Sequence, residues 1–175
     1  MKYMVKFGKL VMLVLLVVCL QYYGYGSKAK DVGWKYPPFI FKARSIDGGV
    51  VDLSKYVGKR LLVVNFWASW CPPCKYEIPD LINLQEEFSN DILLVGVSVD
   101  RNLEDVKIIS QKYKFNYPIV HDSDGGITQL YGGIYSIPVT FIIGYDGKIV
   151  ERIVGARSFD VFKSYILRYL RSSKK

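Results

Sequence analysis

Two hydrophobic periods take turns along this chain. "RLLVVNFWA", Arg60 to Ala68, is an apolar and β-branched run of strand length, the pattern of a strand covered on both faces. "DILLVGVSV", Asp91 to Val99, repeats it. Between them the period changes: Pro72–Phe88 places Ile78, Leu81, Ile82 and Leu84 on one side of a helix. Pro79 falls inside that helix and is expected to kink it. "NLEDVKIISQKYKF" predicts a second helix capped by Asn102. "YPIVHD" follows as a short strand, and "GGITQLYGG" as a short helical piece ended by glycines.

The ends of the pattern are hairpins. "FIFKARSIDGGVVDLSKY" reads as two short strands around an Asp47-Gly48-Gly49 turn, and "VTFIIGYDGKIVERIVG" as a hairpin around Asp146-Gly147. In "SFDVFKSYILRYLR" the residues Phe162, Ile166, Tyr169 and Leu170 follow an amphipathic helical spacing, with Ser158 placed to cap it. Strands alternating with helices, closed by a hairpin and a helix, predict an α/β sandwich on a mixed sheet.

The first residues belong to a different pattern. Lys2, Lys6 and Lys9 precede an unbroken apolar run, Leu10–Leu20, which fits the h-region of a secretory signal and is short for a full membrane span. Residues 1–26 are therefore read as a signal peptide or an N-terminal membrane anchor, 27–35 as a linker and 36–175 as the folded domain. Val18 stands before Cys19, where a lipoprotein signal usually has a small residue, so Cys19 reads as an inert leader cysteine. Either fate of the leader puts the domain in an oxidising, extracytoplasmic compartment.

Half the residues are hydrophobic, ample for a packed core. The net charge of +8 is partly the leader's, and the other basic residues are scattered. Without a basic stripe or recognition motif, the charge reads as solvated surface and no nucleic-acid partner is called for.

Outside the leader the cysteines number two, Cys71 and Cys74, in "WCPPCK". A structural zinc wants four ligands, and Cys71, Cys74 and His121 are too few. Covalent haem attachment needs His at position 75, which is Lys. A purely structural disulfide across so small a loop adds little stability. The redox reading explains the placement: Cys71 lies where a buried strand passes to a helix N-terminus, whose free N–H groups favour a thiolate. Cys71 is then the attacking thiol and Cys74, one turn inward, the resolving one. Pro72 and Pro73 suit the first helical turn.

"VVNFWASWCPPCKYEIPDL", with Pro79 five residues after Cys74, and "SIPVTFIIGYDGKIVERIVG" resemble the active-site segment and terminal hairpin of TlpA/ResA-like extracytoplasmic thiol–disulfide oxidoreductases. The resemblance covers residues 36–172. It implies a thioredoxin-like fold, a mixed central sheet flanked by helices, with an N-terminal extension and a central insertion at 100–135. It implies a Cys71–Cys74 redox disulfide with Pro138 as a cis-proline beside it. Ile137 is to offer backbone hydrogen bonds to an extended substrate, and Trp70 and Pro72 are to complete the docking surface. Where plain thioredoxin has a buried Asp on its central strand, this chain has Asn65, whose amide cannot shuttle a proton. Glu77, where relatives carry an acid, takes that role; a solvated helix carboxylate is its alternative reading. The implied partners are protein disulfides or thiols, among them apocytochrome c, and a membrane thiol-transfer donor. The resemblance favours a reductant and calls for no cofactor and no metal.

Two rivals stand beside this reading. A peroxiredoxin-like peroxidase shares the fold, but its Pro and Thr before the reactive Cys are replaced here by Val64 and Ala68. A redox-inert copper module would use the two thiolates with His121.

Overall fold

The computed structural model describes residues 39–172. The leader, Cys19 and the 27–35 linker lie outside the described residues.

The element order follows the hydrophobic periods. Strands β1 (Lys42–Arg44) and β2 (Val50–Asp52) form an antiparallel pair, followed by a 3₁₀ turn at Leu53–Lys55. Strand β3 (Leu61–Trp67) leads into helix α1 (Pro72–Glu87), and β4 (Ile92–Ser98) into α2 (Leu103–Tyr113). A short β5 (Ile119–His121) and a one-turn helix α3 (Gly126–Leu130) precede β6 (Val139–Ile143), β7 (Ile149–Val154) and α4 (Phe159–Ser172). The five long-range strands pair in the order β5-β4-β3-β6-β7. β3, β4 and β5 run parallel, and β6 and β7 complete the sheet antiparallel. The sheet is mixed and flanked by helices, as the alternation predicts. The β1–β2 pair is the expected N-terminal extension; it reaches the main sheet by a single bridge, Ser45 to Val120.

Every residue of β3 is buried, because the strand lies in the sheet's centre with cover on both sides. Successive side chains point to opposite faces. Leu61, Val63 and Trp67 pack with Ile78, Leu81 and Leu84 of α1 and with Phe162 and Ile166 of α4. Leu62, Val64 and Phe66 pack on the other face with Phe41, Val51, Leu53, Tyr131 and Phe141. Helix α1 carries Pro79 in its interior and continues to Glu87. The Asn102 side chain caps α2 by accepting the Glu104 N–H at 3.1 Å.

Gly96 of β4 is glycine for space. A Cβ there would lie 2.6 Å from Ile119 Cδ1 and 3.1 Å from Trp67 Nε1, so the indole can settle against β4 only over a residue without a side chain.

Candidate active site

β3 ends at Trp67, and a turn through Ala68, Ser69 and Trp70 delivers the chain to Cys71, the N-cap of α1. Cys71 and Cys74 are joined, with an S–S distance of 2.07 Å and Cα atoms 5.3 Å apart. Cys71 Sγ accepts the Cys74 N–H at 3.2 Å. Pro72 and Pro73 occupy the first two helical positions and have no N–H to offer. Of the first-turn amides, Cys74's is therefore the one that reaches the sulfur. Both cysteines are buried, Cys74 completely, and form part of the core under α1.

One turn along α1 from Cys74, a carboxyl lies on the helix's buried side. Glu77 is 2% exposed. Its Oε1 accepts from Asn65 Nδ2 at 2.8 Å, and its Oε2 from the Arg157 N–H at 3.3 Å. Asn65 Nδ2 also donates to Thr140 Oγ1 at 3.0 Å. Burial pushes the Glu77 carboxyl from 4.5 up to about 7; the Asn65 and Arg157 bonds and the Arg157 charge oppose that rise, and Asp80 adds to it. The solvated reading of Glu77 is thereby overturned. This side chain is inside the protein because Asn65 and the loop before α4 give it partners.

The other candidate residues lie on α1, on the turn before it and on the segment that leads into β6. The Ile137–Pro138 peptide bond is cis, and Pro138 is buried at the start of β6 while Ile137 is half-buried. Pro72 is exposed. Trp70 is 65% exposed, and Tyr76 and Tyr135 are more open still. Sequence reasoning singled out Trp70 and missed both tyrosines, for which local sequence carries no signal distinguishing surface from core. His121 has a partner of its own: its Nε2 lies 2.8 Å from the Asp100 carbonyl oxygen, which can only accept, so Nε2 carries the proton. Among the described residues no three His, Cys, Asp or Glu side chains gather as a metal site.

A mixed sheet with a disulfide at the N-terminus of the helix after its central strand, and a cis-proline leading into the antiparallel strand that pairs with that central strand, defines the thioredoxin-fold class. The chain belongs to the AhpC/TSA family, whose model matches residues 32–152. Among curated proteins it is 32% identical over 163 residues to the thiol-disulfide oxidoreductase ResA of Oceanobacillus iheyensis, covering 88% of this chain and 84% of that one. It is 29% identical over 160 residues to ResA of Bacillus subtilis, covering 88% and 87%. Among solved structures it resembles a putative thiol:disulfide interchange protein DsbE from Chlorobium tepidum, with a TM-score of 0.68 and 28% identity over 74% of this chain and 92% of that one. StoA from Bacillus subtilis matches with a TM-score of 0.64 and 28% identity, over 71% and 94%. The chain is a thiol–disulfide oxidoreductase of thioredoxin-like fold.

Proposed function

We propose that the chain works outside the cytoplasm as a reductant of protein disulfides, with residues 1–26 as its signal or anchor, and that a disulfide between the haem-binding cysteines of apocytochrome c is among its targets. The carrying observation is the disulfide at the N-cap of α1 with a single amide, Cys74's, directed at Cys71. A helix N-terminus that offers the thiolate few donors stabilises the reduced form weakly, and a weakly stabilised reduced form gives up its electrons readily.

The cycle runs as follows. Cys71 thiolate attacks one sulfur of a partner disulfide, forming a mixed disulfide and releasing the partner's first thiolate. Glu77, ionised, takes the proton of Cys74, and the Cys74 thiolate attacks Cys71 Sγ. The mixed disulfide breaks, the second partner thiolate leaves and is protonated, and the Cys71–Cys74 disulfide has formed. Two electrons have passed from this protein to its partner. A carboxyl with a value of about 7 exchanges protons near neutrality. Trp70, Pro72, Ile137 and Pro138 form the substrate-binding surface, with the Ile137 backbone pairing an extended partner segment. A membrane thiol-transfer protein returns the electrons.

The test is a direct transfer. Reduced protein mixed with a disulfide-bonded CxxCH peptide is expected to yield reduced peptide and the Cys71–Cys74 disulfide. Net oxidation of the dithiol peptide at equilibrium would reverse the direction. Rapid consumption of hydrogen peroxide without peptide reduction would favour the peroxidase rival, against which Val64 and Ala68 stand. Fusing residues 1–35 to a reporter and following its cleavage and compartment tests the location.

A further inference from the structure

One buried carboxylate near the site is unused by the cycle above. Asp100 lies just past the end of β4, and it is 2% exposed. β4 runs beside β3 with Ser98 opposite Trp67, and the Val99 N–H continues the ladder to the Trp67 carbonyl. Asp100 thus arrives beside the turn that leads to Cys71. It holds that turn with both oxygens. Oδ1 accepts the Ser69 hydroxyl at 2.6 Å and the Ser69 N–H at 3.2 Å; Oδ2 accepts the same N–H at 2.9 Å and the Ser98 hydroxyl at 2.7 Å. Its own N–H donates to Ser98 Oγ at 3.1 Å, and its carbonyl accepts from His121.

All these donors to the carboxylate are neutral. Among the described residues no Lys or Arg pairs with Asp100. The ionisable side chains on the elements around the disulfide include Lys75, Tyr76, Glu77 and Asp80 on α1, Arg101 beside Asp100, Tyr113 at the end of α2, Tyr117 and His121 around β5, and Arg157 ahead of α4. A lone buried charge is screened little by salt or water. Two residues of chain span at most about 7 Å, and the Cys71 N–H bonds back to the Ala68 carbonyl at 3.2 Å, folding the turn tighter. Asp100, bonded directly to Ser69, is thus joined to Cys71 through two residues of one tight turn.

We infer that Asp100 is a positioning residue for the redox couple: it fixes the Ser69 turn and holds a negative charge near Cys71 that disfavours the Cys71 thiolate. The oxidised protein has no charge on either sulfur, so the anion penalises only the reduced, ionised form. Above the thiol's midpoint, reduction adds two electrons and one proton to the disulfide and leaves the Cys71 thiolate and the Cys74 thiol. Asp100 opposes that step and favours the reverse, the donation of electrons. This inference rests on the proposed role as a reductant and assigns part of its direction to a residue outside the Cys-Pro-Pro-Cys loop.

Asp100→Asn is the test, because its amide oxygen keeps an acceptor for Ser69 and its NH₂ can donate to Ser98 Oγ, while the charge is gone. The readouts are the pH midpoint of Cys71 alkylation in the reduced protein and the equilibrium with dithiothreitol at pH 9. The midpoint is expected to fall by about one unit, and the equilibrium to shift about tenfold toward the reduced protein, about 30 mV for a two-electron couple. Ser69→Ala, which keeps the charge and loosens the grip, is expected to leave the midpoint in place. An unmoved midpoint in Asp100→Asn overturns the inference, and so does an equal fall in Ser69→Ala. Should Asp100→Asn fail to fold, the wild-type midpoint decides. A value at or above the ordinary cysteine value of about 8.5 supports the anion, and a lower one means the helix end prevails. A wild-type protein with no reversible couple would instead defeat the proposed function, and this inference with it.

Discussion

On one face of the central sheet β3 presents Leu62, Val64 and Phe66 to an apolar layer built from Phe41, Leu53, Tyr131 and Phe141. On the other it presents Leu61, Val63, Asn65 and Trp67. The first face is aromatic. Tyr131 meets Phe66 at 5.1 Å and Phe141 at 4.9 Å between ring centres, and its hydroxyl reaches the Phe39 carbonyl at 2.9 Å. The second face breaks its apolar pattern at Asn65, where Thr140 of the paired strand and Glu77 of α1 converge. One strand thus serves a dry core and a polar site from alternate residues. Chemistry sits on the face covered by α1, whose N-terminus holds the sulfur and whose Glu77 reaches Asn65 of the strand below it.

The largest effect separates the two faces outright. Cys71→Ser is expected to abolish turnover in an insulin-reduction assay while leaving a folded protein, since serine replaces sulfur at a position whose packing is otherwise intact. Turnover at the wild-type rate would remove the basis of the whole functional reading.

Phe66→Ala attacks the dry face. Phe66 is fully buried among Tyr131 and Phe141, so the variant is expected to lose about 3–5 kcal/mol of stability, read from the urea midpoint. Its thiol–disulfide equilibrium should stay where it was, because no polar group of the site lies on that face. A shifted equilibrium would mean that the faces are coupled.

Glu77→Gln probes the polar face through pH. The native carboxyl holds its proton up to about 7, while an unfolded one releases it near 4.5. Between those values the native state binds more protons than the unfolded state, so stability falls as pH rises through the window. The loss amounts to about 3 kcal/mol once pH passes 7. Glutamine has no such titration, so the variant's stability should be flatter from pH 4.5 to 7, and its alkylation profile should lose the step that Glu77 contributes. Parallel stability curves for the two proteins would show that the buried carboxyl is not perturbed.

How much of this is visible in sequence follows from the same contrast. β3, α1 and β4 are legible because burial imposes a period that local residues must keep. The disulfide is legible because two cysteines at that spacing, after a buried strand, have few other uses. Glu77's burial is not legible from its own neighbours: a carboxylate on a helix ordinarily faces water, and its partners come from Asn65 and from Arg157, eighty positions along the chain. The available signal was Asn65 itself, a polar residue in an unbroken apolar run. Asp100 is hidden for the same reason, since its partner Ser69 is set by strand register rather than by proximity in sequence. The exposed Tyr76 and Tyr135 leave no trace in any period.

The smallest effect on stability belongs to Trp70, and it tests what lies outside both faces. The side chain is 65% exposed beside the disulfide, so truncating it leaves no cavity, and Trp70→Ala should change stability by no more than about 0.5 kcal/mol. The proposed docking role gives that exposed indole a use when a partner covers it. Binding a protein surface would bury its apolar area and add affinity without touching the sulfur chemistry. The variant should therefore raise KM for a protein disulfide, leave kcat close to wild type, and reduce a small disulfide such as oxidised dithiothreitol at the ordinary rate. Equal losses on the small and the large substrate would place Trp70 in the chemistry of the turn, alongside Ser69 and Asp100, and not on the docking surface.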